Sequence, residues 1–139
     1  MRPMKSVWLV AGLLAALAGA AFAVPAVAHH SFGHYDMEKI AEIEGTVRKY
    51  EWTNPHCWLF VDVASANGES VTYGFELSSV GEMLRRGWKK TSVKFGDRVK
   101  VKFRPMRDGT PAGLMVSADK DGTRIGADVR GPQPAQPLR

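Results

Sequence analysis

The sequence holds one cysteine, Cys57, in 139 residues. A lone thiol closes no internal disulfide, so no covalent staple holds this fold. Also missing are the short motifs of common enzyme chemistry: a Gly-x-Ser-x-Gly nucleophile turn, a phosphate-binding loop and a His-Glu-x-x-His pair. No segment repeats, and the length leaves no room for a second sizeable core. Acidic residues are the scarcer charge, 14 Asp and Glu against 19 Lys and Arg, which gives a formal net charge of +5. These absences point away from an enzyme and toward a small binding domain.

What is present begins with a targeting pattern. Arg2 and Lys5 precede an uncharged apolar run from Val7 to Phe22, and small residues then lead to Ala26-Val27-Ala28. This is the layout of a secretory signal peptide with cleavage after Ala28, placing the mature protein in the periplasm. A second small-residue site follows Ala23. An uncleaved membrane anchor is the alternative, because the apolar run is about long enough to span a bilayer. No cysteine near the site suggests a lipoprotein, and no twin-Arg pair precedes the run. Cleavage after Ala28 leaves 111 residues carrying 17 basic and 14 acidic side chains, a charge of +3. Export makes nucleic acid an unsuitable partner and exposes Cys57 to an oxidising compartment.

The mature chain reads as five strands and one helix. Residues 40–52 alternate, with Ile43, Gly45 and Val47 on one side, and Gly45 suggests a bulge or sharp coil. Asn54-Pro55 ends that pattern. Residues 57–63 and 70–77 form a hairpin across Asn67-Gly68. Ser79-Val80-Gly81-Glu82 matches a capping box and opens a helix of roughly 8 residues, stopping before Gly87. Residues 98–104 alternate Val99, Val101 and Phe103 with Lys100, Lys102 and Arg104. A last strand over 111–118 turns Ala112, Leu114 and Val116 inward. The order β-β-β-α-β-β predicts a mainly β, five-stranded OB-like barrel with one short helix between strands three and four. An SH3-like barrel or an open meander is the alternative. The domain plan is signal peptide 1–28, a His-containing segment 29–39, a barrel 40–118 and a disordered polar tail 119–139.

Charge is divided along this plan. Residues 29–84 hold three basic and nine acidic side chains, whereas residues 85–107 hold ten basic ones and only Asp97. Arg85, Arg86, Lys89, Lys90, Lys100, Lys102 and Arg104 therefore mark a candidate surface for an anionic partner: a lipid headgroup, a polyanion or an acidic protein. The plainer reading is a solvated strand whose charges discourage edge pairing.

All four histidines fall within 28 residues: His29, His30, His34 and His56. Cleavage after Ala28 would make His29 the first residue, so that its α-amine and imidazole could chelate one ion together. His56, at the entrance to the second strand, is the natural third donor, with His30 or His34 as substitutes. Nitrogen donors of this kind favour copper, with zinc behind it. Alternation turns the adjacent Cys57 to the opposite face, as a buried apolar residue rather than a ligand. The competing reading makes the His-His pair a flexible polar start and His56 a loop cap.

His29-His30-Ser31-Phe32, Gly45-Thr46-Val47, Trp52-Thr53-Asn54-Pro55-His56, Arg86-Gly87-Trp88 and Arg107-Asp108-Gly109 occur in this order. That set resembles a family of small exported bacterial proteins catalogued only as a domain of unknown function. The resemblance covers roughly residues 29–122 and implies a signal peptide, a small β-barrel and no established activity. It maps His29, His30 and His56 onto the family's histidine motifs without assigning a ligand. Two functions follow as expectations. The first is a non-enzymatic periplasmic domain binding copper through His29, His30 and His56. The second is a module docking a periplasmic protein or small anionic ligand through its barrel face or basic strand.

Overall fold

The structure, a computed structural model, describes residues 32–129. The signal-peptide pattern, His29 and His30 lie outside the described residues, as does the chain after Val129. The described chain runs through a 3-10 turn (Phe32–His34), β1 (Ala41–Glu51), β2 (Trp58–Ala64), β3 (Ser70–Glu76), α1 (Val80–Arg85), β4 (Arg98–Pro105), β5 (Ala112–Lys120) and β6 (Thr123–Arg124). Among the described residues no helix is long and apolar enough to cross a membrane.

Strand alternation sets the architecture. β1 pairs antiparallel with β2 on one side and β4 on the other, β2 with β3, and β4 with β5. A short parallel pairing of β3 with β5 closes the sheet into the expected five-stranded OB-like barrel. Inward positions fill it: Val47 from β1, Leu59 and Val61 from β2, Phe75 from β3, Val99, Val101 and Phe103 from β4. The rings of Phe75 and Phe103 meet at 4.9 Å between centroids. Helix α1 lies between β3 and β4 and adds Met83 to this core, with Trp88 buried just beyond it. Ser79 caps the helix, accepting from the Glu82 N–H at 3.4 Å. At the other end the Trp88 N–H reaches back to the Met83 carbonyl at 3.0 Å, closing the last turn.

Four sequence expectations are corrected. Gly45 is not the bulge: the register against β2 slips between Val47 and Lys49. Gly45 serves close approach, since a Cβ there would stand 2.3 Å from the Asp62 carbonyl oxygen. In β5 a second register shift reverses the expected face. The partners step from Ser117 to Met115, so Met115 and Ala118 enter the barrel core in place of Leu114 and Val116. Leu114 is fully buried all the same.

The third correction concerns the tail. β5 runs to Lys120, and Asp121-Gly122, both at positive φ, turn it into β6. The chain then crosses to the helix end, where the Ala127 N–H donates to the Arg86 carbonyl and the Trp88 indole donates to the Ala127 carbonyl. Val129 is buried, and its N–H bonds the Val116 carbonyl. Polar composition concealed a segment that orders through backbone hydrogen bonds and one buried valine. The fourth correction is Arg86 itself, placed on an exposed basic surface by sequence. It is 7% exposed and spans from Glu82 (2.7 Å) to the Asp128 carbonyl (2.5 Å).

Candidate functional site

The loop between β1 and β2 is pinned at several points. The Asn54 side chain accepts from the Val80 N–H at 3.0 Å, tying the loop to the start of α1, and the Asn54–Pro55 peptide is cis. Cys57 is clamped through its backbone to Ser78 and Leu77, extending the β2–β3 pairing by one residue. Its side chain is buried, as expected from sequence, with Sγ 3.7 Å from the Thr53 carbonyl oxygen, and burial raises the thiol pKa.

With Cys57 turned inward, His56 is directed the other way. Its Nδ1 lies 3.0 Å from Oε1 of Glu76, the last residue of β3. The second carboxylate oxygen of Glu76 accepts from the Tyr35 hydroxyl at 2.6 Å. Tyr35 comes from the segment before β1. That segment lies along the end of β4, with Tyr35 bridging Met106 and the Asp36 N–H bonded to the Pro105 carbonyl. Two distant stretches of chain, around Tyr35 and His56, thus converge on a carboxylate carried by a third. The pair is sheltered but reachable, with side-chain exposures of 23% for His56 and 16% for Glu76.

The chemistry of this arrangement is that of an oriented imidazole. When the neutral ring donates its Nδ1 hydrogen to Glu76, its lone pair is on Nε2, the tautomer suited to binding a metal. A carboxylate behind the ring fixes its angle and strengthens its donor nitrogen. Glu76 and the hydroxyl of Tyr35 escaped sequence reasoning. Glu76 reads as one more polar position on an alternating strand, and Tyr35 reads as an apolar docking residue. Their contact joins residues 41 positions apart and leaves no local signature.

His34 is exposed in the 3-10 turn. Its carbonyl accepts from the Arg107 N–H, and its ring contributes to lowering the pKa of Asp108 behind that carboxylate's hydrogen bonds to Thr110. Among the described residues no three His, Cys, Asp or Glu side chains come together as a metal set. His34 therefore does not join His56 and Glu76 in one. Beside His34, Asp36 accepts from the Glu38 N–H, and Met37 offers its carbonyl to Arg104.

The basic candidates separate into two groups. On the outer face of β4 the register places Glu42 opposite Lys102 and Glu44 opposite Lys100. Glu42 lies 3.6 Å from Lys100 and 3.8 Å from Lys102, while Glu44 bonds Arg98 at 2.7 Å, the main cause of its lowered pKa. Arg85 pairs with Glu82. Lys89 and Lys90 are exposed on a turn and form no ion pair among the described residues.

The outward aromatic residues Trp58 and Phe60 stack on one another, 6.2 Å between centroids, on the half-buried face of β2. A family model matches residues 17–117, and its description is "Family of unknown function (DUF6152)". No curated protein and no solved structure matches the chain.

Proposed function

Because the chain belongs to this family of unknown function, DUF6152, we propose its function from its own residues: an exported, non-enzymatic β-barrel domain that binds copper through His56. The observation that carries this reading is the contact of His56 Nδ1 with a carboxylate that is itself held by Tyr35. A protein that needs only a loop cap has no use for a second group holding the first group's partner.

One imidazole does not make a copper site. The further donors are those that the sequence offers at His29 and His30, with the α-amine of His29 added if export cuts after Ala28. Zinc fits the same nitrogens with lower preference.

The test is calorimetric titration of copper(II) into the exported protein, whose first residue is fixed by mass spectrometry. The wild type should bind one equivalent, and His56→Ala should weaken that binding by at least tenfold. Equal affinity in the two proteins would remove His56 from the site. An exported chain that begins before His29 would remove the amine while leaving the imidazoles.

A further inference from the structure

The connection from α1 to β4 is two consecutive tight turns between buried anchors, Trp88, Val93 and Val99. In the first, the Ser92 N–H bonds the Lys89 carbonyl at 3.0 Å, and the Lys89 N–H returns to Ser92 Oγ at 2.9 Å. In the second, the Asp97 N–H bonds the Lys94 carbonyl at 3.1 Å, and the Lys94 N–H bonds Asp97 Oδ2 at 3.0 Å. This second turn is also fastened to β1 at its bulge. The Gly96 N–H donates to the Val47 carbonyl at 2.9 Å, and the Val47 N–H donates to the Asp97 carbonyl at 2.8 Å. The one large apolar side chain on it, Phe95, is nevertheless 80% exposed.

A scattered surface hydrophobe is ordinary. An aromatic ring held out on a turn with this many backbone hydrogen bonds is a different case, because little ordering remains to be done on binding. Its surroundings define the partner. Lys89, Lys90 and Lys94 are exposed and without ion-pair partners among the described residues. The only acid in the stretch, Asp97, accepts from the Lys94 N–H and from Lys120 at 3.2 Å, and the Lys94 charge is among the smaller influences on it. Chain connectivity keeps the three lysines within roughly 20 Å of Phe95 even if extended, and the turns shorten that span. A ring that can enter an acyl boundary, with exposed lysines close to it in the chain to meet phosphates, is the chemistry of an interfacial anchor.

We propose that the Lys89–Phe95 turns are a docking surface for an anionic phospholipid bilayer, with Phe95 inserting and Lys89, Lys90 and Lys94 contacting headgroup phosphates. The contact is reversible, since one ring and three lysines fall far short of a permanent anchor. It is independent of the metal reading, which rests on His56, Glu76 and Tyr35 and on none of these residues.

The test is sedimentation of the exported protein with vesicles of phosphatidylglycerol and phosphatidylcholine, in the presence of EDTA. Binding should appear on the anionic vesicles, be absent on pure phosphatidylcholine, and weaken as salt rises. Phe95→Ser should weaken it by roughly tenfold or more, from the lost burial of the ring. Each lysine changed to alanine should weaken it by about fivefold. Phe95→Trp should show a blue-shifted emission on anionic vesicles only. Both Phe95 changes lie on an exposed side chain and leave the fold intact, which circular dichroism verifies. Equal binding to neutral vesicles, or no loss in Phe95→Ser, would overturn the proposal. So would binding to polyglutamate with the same Phe95 and lysine dependence and none to vesicles, which would make the surface a protein dock.

Discussion

Two networks in this molecule tie a carboxylate to a nitrogen base, and they differ in their exposure to solvent. Arg86 is sealed in. Its guanidinium is used by Glu82 and the Asp128 carbonyl, its own carbonyl receives Ala127, and it is 7% exposed. His56 stands at a surface, with Glu76 behind Nδ1 and Tyr35 behind Glu76. The first network closes the C-terminal segment onto the helix and is consumed in doing so. The second holds an imidazole from behind. Similar bonds serve architecture in one place and, on the function proposed above, ligand chemistry in the other, and solvent access separates them.

The sharpest way to break that contrast is to remove Arg86. Arg86→Ala takes from Glu82 one of its two arginine partners and releases the segment at Asp128, and it should cost about 2 kcal/mol of stability in urea denaturation. Copper affinity of the folded fraction should stay unchanged. Glu76→Gln should do the reverse, lowering copper affinity about 10- to 100-fold through a loosened ring while the fold survives. If Glu76→Gln instead unfolds the protein and spares affinity, the two networks are of one kind.

Acid should weaken the structural side. The hydrogen bond from Arg85 is the largest influence on Glu82, and with that from Arg86 it holds the carboxyl below its ordinary 4.5 despite burial. For Asp97, burial works upward but is outweighed by the Lys94 N–H and by Lys120, so this carboxyl too sits below its ordinary 3.8. Lowered carboxyl pKa values mean that the unfolded chain binds more protons in acid. Their stabilisation is full above the ordinary values and disappears as pH falls through the lowered ones. Thermal scans should show Tm falling below pH 4.5 from this cause, and a smaller fall in an Arg85→Ala, Glu82→Gln double variant.

Tyr50 is the counter-example to both networks. Its hydroxyl is buried with no hydrogen-bond partner among the described residues, and burial is the main cause of its raised pKa. Its ring packs edge-on to Trp52 at 5.7 Å. Tyr50→Phe keeps that packing and removes an unsatisfied group, so stability should be unchanged or rise by about 1 kcal/mol.

The barrel was legible in the sequence because alternation and turn residues are local. The period-two runs, Asn67-Gly68 and the Ser79 cap placed every barrel strand and the helix within about two residues. The bulge eluded that reading because it depends on the partner strand, and Gly45 marks a close approach three residues from it. The C-terminal segment eluded it because composition does not reveal backbone hydrogen bonds to Arg86 and Val116. At the site, His56 was readable from its place after Asn54-Pro55, whereas Glu76 gains meaning only when β3 is laid beside β2. The basic strand shows the same limit: Lys100 and Lys102 look unpaired in the sequence until the register brings Glu42 across from them.

The claim that His56 is a metal donor is tested most directly by electron paramagnetic resonance of the exported protein with one equivalent of copper(II), prepared with and without nitrogen-15 histidine. The account predicts histidine nitrogen couplings in the wild type and the loss of one of them in His56→Ala. Identical spectra from the two proteins would contradict it.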